Sequence, residues 1–109
     1  MDLYHTTDVD GVSILNPNIE AMRELLATLD SPDANTEELP DVSLVHDPSG
    51  WAILAYPSGI VTFENLDDGD IAPRFMRDVS RDECLQLWQQ LARGKINALK
   101  QLPWETQKA

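Results

Sequence analysis

Cysteine is all but missing from this chain. Cys84 stands alone in 109 residues, so no internal disulfide can form, and the sulfur usage suits a reducing compartment. Long apolar runs are missing as well. No stretch approaches the roughly 20 apolar residues that a membrane-spanning helix needs. The opening segment, Met1 to Asp8, carries neither the basic nor the apolar region of a leader peptide. The sequence therefore predicts a cytoplasmic protein with no membrane contact. Positive charge is the third scarcity. Residues 1–70 hold 15 of the 19 acids and a single base, Arg23, for a net charge of −14. Residues 71–109 hold the other four acids and seven bases, for +3, and the whole chain stands at −11. A phosphate backbone demands a basic face, so nucleic acid is not the expected partner. Such asymmetry points to a protein partner, or to simple solubility.

What remains is enough for one domain spanning 1–109. With 42% hydrophobic and 25% charged residues, the chain is globular in composition and long enough to bury a core without disulfides or a structural metal. The clearest signal runs from Val42 to Asn65. Three short apolar segments, Val42–His46, Trp51–Tyr56 and Ile60–Glu64, are joined by the same word twice, Pro48-Ser49-Gly50 and Pro57-Ser58-Gly59. Proline presets the second position of a tight turn, and glycine accepts the positive φ where the next strand resumes. This predicts an antiparallel β-meander.

Other elements flank it. Asp10-Gly11 between two short alternating pieces predicts a hairpin over 2–15. Asn16-Pro17 predicts a helix start, with Asn16 as cap and Pro17 at the first helical position. Ile19, Met22, Leu25, Leu26 and Leu29 then supply one apolar stripe. Residues 31–41 read as an acidic loop, and 65–70 as an acidic turn. A further strand is expected around Arg74 to Asp78. Ser80 and Glu83 fit a capping box, Val79 and Cys84 occupy the positions of a hydrophobic staple, and Gly94 ends that helix. A short last helix carries Ile96, Leu99 and Leu102. The expected fold is α+β: an antiparallel meander of three to six strands, with one helix before it and two after it. Both faces of the meander's middle strand are apolar, so either the helices divide between the faces or one face meets another chain.

The chemistry-bearing residues are sparse. His46 beside Asp47 at a strand end could serve as a base or a metal ligand, but the two histidines and one cysteine show no ligand spacing. Ser49 and Ser58 follow proline in strand-to-strand corners, unlike a nucleophile elbow. Asp8 to Gly11 and Asp67 to Asp70 hold fragments of a calcium loop and complete none. Cys84 lies on an apolar stripe beside Trp88, which predicts an inert sulfur despite the nearby Arg81. Trp104, after Pro103, is expected to fold over the last helix or to anchor a partner. Arg74, Arg77 and Arg81 are expected to balance the acids of their own chain. No set of nucleophile, base and stabiliser can be assembled, so no enzyme activity, cofactor or metal is expected.

The segments Pro40-Asp-Val-Ser-Leu-Val-His46, Gly50-Trp-Ala-Ile-Leu-Ala-Tyr-Pro-Ser-Gly-Ile-Val-Thr-Phe-Glu-Asn65, Leu87-Trp-Gln-Gln-Leu-Ala-Arg-Gly94 and Pro103-Trp104 resemble a group of small bacterial proteins of unassigned function. In size, acidity and helix–meander–helix order the chain is also similar to immunity proteins that neutralise bacterial toxins. That likeness implies no particular binding residue. The functional expectation is a non-enzymatic module that blocks a basic protein partner, with Asp33, Glu37, Glu38, Asp67, Asp68 and Asp70 steering the encounter. The alternative expectation is a small homodimeric domain with a ligand groove between sheet and helix, near His46 and Tyr56.

Overall fold

The computed structural model describes residues 3–8, 11–30, 41–68, 70 and 73–106. Two strands open the chain, β1 (Tyr4–Thr7) and β2 (Ser13–Leu15), followed by helix α1 (Ile19–Ala27) and a 3₁₀ turn over Thr28–Asp30. The meander follows as β3 (Val42–His46), β4 (Trp51–Ala55) and β5 (Val61–Asn65). Then come β6 (Arg74–Met76), α2 (Arg81–Ala92), α3 (Ile96–Lys100) and a two-residue strand β7 (Glu105–Thr106). All strands pair antiparallel in the order β2-β1-β3-β4-β5-β6-β7. The fold is α+β, a six-stranded antiparallel sheet that β7 extends by one short step. The N-terminal hairpin joins the main sheet through β1, which pairs with β3 in the register Tyr4↔His46 to Thr7↔Ser43.

Both proline–serine–glycine words form corners. At the second, the Gly59 N–H donates to Tyr56 O at 3.1 Å and the Tyr56 N–H to Ile60 O at 3.0 Å. With Gly59 at φ +89°, this is a turn closed by a left-handed residue, which restores the strand twist. At the first, Gly50 has φ +76° and donates its N–H to His46 O at 2.9 Å.

Helix α1 starts two residues later than the Asn16-Pro17 signal predicts. Asn16 stays with the hairpin: at φ +48° its N–H donates to Tyr4 O, and its Oδ1 accepts the Tyr4 N–H at 3.0 Å. Asparagine tolerates this left-handed backbone, and closing the strand pair uses the side chain that capping would need. Asn18 caps instead, its Oδ1 accepting the Ala21 N–H at 2.8 Å. Helix α2 begins as expected, with Ser80 Oγ accepting the Glu83 N–H and donating to the Glu83 carboxylate, both at 3.1 Å. It ends in a Schellman motif at Gly94, φ +74°: the Gly94 N–H donates to Leu91 O and the Lys95 N–H to Gln90 O.

One core holds the buried residues of all three helices (Met22, Leu26, Cys84, Leu85, Leu87, Trp88, Leu91 and Leu99) against Val42, Leu44, Trp51, Ile53, Ala55, Val61 and Phe63 of the sheet. Each fully buried Leu or Phe in such a core contributes about 1.5–3 kcal/mol relative to exposure. Trp88 also donates its Nε1–H to Ile53 O at 3.1 Å, so its one polar atom is satisfied inside. Trp104 folds back on the last helix, donating Nε1–H to Leu99 O at 2.6 Å, and stacks on Phe63, which in turn stacks on Trp51. The helices therefore do not divide between the faces. Val45 and Ala52 alternate with the core residues and are buried on the opposite face, outside this cluster.

Candidate functional site: an acidic rim at one end of the sheet

The β3–β4 corner and the β5–β6 connection lie together at one end of the sheet, because His46 pairs with Trp51 and Trp51 with Asn65. Asn65 organises this end. Its Oδ1 accepts the N–H groups of Asp67 and Asp68, each at 2.9 Å, while its amide donates to Ser49 O at 3.3 Å. Asp68 repeats the device, accepting the Asp70 N–H at 3.0 Å. Short polar side chains that bind backbone two or three residues on fix such turns without regular structure. The Leu66 N–H donates to Gly50 O at 2.8 Å, and the Asp67 side chain lies directly over Gly50. Asp67, Asp68 and Asp70 are all exposed. None of the three pairs with a basic side chain among the described residues. Asp47 stands exposed on the neighbouring corner and meets His5 Nδ1 at 2.9 Å.

Of the six expected steering residues, Asp67, Asp68 and Asp70 are thus gathered on one turn. Asp33, Glu37 and Glu38 lie outside the described residues. Asp41, the first described residue after them, sits at the opposite end of β3 from the 65–70 turn, next to Tyr56. There burial pushes the Asp41 carboxyl above its ordinary pKa. Burial, with the nearby Asp41 and Glu64 charges, raises that of Tyr56.

His46 and Asp47 do not form a pair. Successive strand residues point to opposite faces: His46 turns inward, buried, with Nδ1 and Ser49 Oγ 2.7 Å apart, while Asp47 turns outward to His5. Nor does the structure bring His46 and Tyr56 together, since they occupy opposite ends of the meander. The Ser49 hydroxyl also accepts the Trp51 N–H at 3.3 Å, consistent with a turn former.

No family model, curated protein or solved structure matches this chain. The site must be read from its own chemistry.

The arginines act separately. Arg81 clamps the second corner, donating to Tyr56 O at 3.3 Å and Pro57 O at 3.1 Å. Arg77 lies over the Phe75 ring and reaches Glu105 at 3.9 Å. Burial pushes the Cys84 thiol up to about 12, against a smaller lowering by Arg81, so thiolate chemistry is shut off at neutral pH. Among the described residues, no group of three or more His, Cys, Asp or Glu is placed to hold a metal ion. A groove of about 490 Å³ does open between sheet and helices, walled by Tyr4, Ile19, Met22, Gln89, Ala92 and Arg93. Neither His46 nor Tyr56 lines it. The sequence reading expected a sheet–helix groove but placed it at His46 and Tyr56; the walls of this one converge from β1, α1 and α2, and no local pattern announces them.

Proposed function

We propose that this chain is a non-enzymatic protein-binding module whose acidic rim engages a basic partner. The toxin-immunity resemblance points to a particular form of it, an inhibitor that plugs a basic cleft. The supporting observation is the 65–70 turn, whose hydrogen-bonded backbone gathers three exposed carboxylates, none of them paired with a basic side chain among the described residues. Carboxylates held this way attract a positive surface over a distance set by ionic strength and fix its register on contact. Replacing Asp67, Asp68 and Asp70 by asparagine removes the charge and leaves an acceptor oxygen at position 68 for the Asp70 N–H, while Asn65 still accepts the N–H groups of residues 67 and 68. The test is quantitative capture from the host lysate with the wild-type and triple-variant proteins, at about 0.05 and about 0.5 M salt. A basic protein retained by the wild type at low salt, and lost in the variant and at high salt, is the expected result. Equal capture by both proteins removes the reading.

The 490 Å³ groove favours a second reading, a small-ligand site whose lining combines Ile19, Met22 and Ala92 with the polar Gln89 and Arg93. A metabolite that raises the melting temperature of the wild type, and does not raise that of Ala92→Trp, is what this second reading expects.

A further inference from the structure

Exposed large hydrophobic side chains are not scattered over this molecule. Among the described residues, five of the six, Leu3, Val12, Ile14, Leu15 and Ile19, belong to the N-terminal hairpin and the segment that leaves it. They surround β2, the outermost strand of the sheet, in which Ser13, Ile14 and Leu15 are all exposed.

Among the described residues, no strand pairs with the outer side of β2, so its edge is also open along its backbone. The Asn16 N–H donates to Tyr4 O and the Asp8 N–H to Val12 O, so the even-numbered residues of β2 bond inward to β1. Alternation then turns the N–H and C=O groups of Ser13 and Leu15 away from the sheet. Side chains of residues paired without backbone bonds sit close, and Thr7 Oγ1 lies 3.1 Å from Ser13 Oγ, as that assignment requires. Proteins usually blunt such an edge with charge, proline or extreme shortness. The opposite edge follows that rule, with two residues, one of them Glu105. Strand β2 is nearly as short, at three residues, but it lacks the charge: residues 11–19 carry none at all, within a front segment of net −14.

We infer that the β2 edge pairs antiparallel with β2 of a second copy of this chain, making a two-fold dimer with a continuous sheet. The strand is self-complementary about Ile14. Ser13 of one copy faces Leu15 of the other, and their outward N–H and C=O groups form two hydrogen bonds on each side of the axis. Ile14 then meets its own counterpart on the helix side of the sheet, where a non-hydrogen-bonded pair brings side chains closest. Leu15 of each copy lies against Ser13 of the other on the opposite face of the sheet. A basic partner finds no counter-charge on this edge, whereas two copies of net −11 approach with least repulsion where charge is absent.

Sedimentation equilibrium of the full chain from about 1 to about 100 μM tests the inference. A monomer–dimer equilibrium is expected, tightened by added salt because the copies repel each other elsewhere. Ile14→Lys and Leu15→Pro should each weaken it by about tenfold or more. The proline removes only an outward N–H, so the β1–β2 bonds survive. Amide exchange on the wild type needs no variant: protection at Ser13 and Leu15 should grow with protein concentration. A wild type that stays monomeric, a dimer that ignores both substitutions, or exchange at those amides that is independent of concentration would each overturn the dimer.

Discussion

A methyl group added at Gly50 meets two obstacles, and one added at Gly11 meets one. Both residues have left-handed backbones, φ +76° and +85°, which cost an L side chain about 1–2 kcal/mol. Around Gly11 the new Cβ has no heavy atom within 4 Å. At Gly50 it falls 2.6 Å from Asp67 Cγ and 3.1 Å from Asp67 Cβ, so the carboxylate must swing away. Gly50→Ala should therefore cost about 2 kcal/mol or more, and Gly11→Ala about 1 kcal/mol, in urea unfolding. Equal losses would show that Asp67 rotates freely. Cys84 gives a pH-dependent counterpart. Its thiol is pushed up from 9.0 to about 12 in the folded protein. Stability from the buried thiol is thus complete below about pH 9 and is lost as pH rises from there toward 12. At pH 8, a thiol reagent should modify Cys84 only as fast as the chain opens; rapid native labelling would contradict its burial. The glycine requirement at Gly50 was legible in the word Pro-Ser-Gly, since φ is a local demand. The approach of Asp67 was not, because it comes from a turn seventeen residues away. The separation of His46 from Asp47 could have been read from strand alternation alone.

Helix α2 is the element most fully written into the chain. Its cap and glycine stop are each encoded within a few residues and are present in the structure, and Val79 and Cys84, the staple positions, both lie buried in the core. Ser80→Ala removes the acceptor for the Glu83 N–H and should cost about 1 kcal/mol. Ser80→Asp, which keeps an acceptor at the helix's positive end, should recover most of that loss in the same unfolding measurement. If alanine and aspartate prove equally stable, the cap contributes nothing. Helix α1 was harder to read, since Asn16 and Asn18 both flank Pro17 and both suit a cap. The choice between them is made by Tyr4, twelve residues upstream of Asn16, which claims the first asparagine for the hairpin. Strand β7 had no sequence signal: two residues carry no period, and Glu105 and Thr106 are brought to β6 by the chain turning back at Trp104, which docks on Leu99 and Phe63.

Across the whole molecule, the excess of acid was visible in composition, and its grouping was not. Ion pairs such as Arg23–Glu20 at 3.3 Å and Arg77–Glu105 at 3.9 Å are exposed and long, which makes them weak. They do nothing for Asp67, Asp68 and Asp70. A chain of net −11 with its carboxylates left this way is self-repelling, and folding gathers charges that the unfolded chain keeps apart. Salt screens that repulsion over a Debye length that shrinks from about 30 Å at 0.01 M to about 8 Å at 0.15 M. The melting temperature should therefore rise with sodium chloride over that range. The triple asparagine variant of the 65–70 turn should start from a higher melting temperature and gain less from salt. Were ion pairs dominant instead, salt would lower the melting temperature of the wild type. The two signs are opposite, so one titration at fixed protein concentration separates them, and that concentration should lie below the monomer–dimer transition so that self-association does not add to the gain.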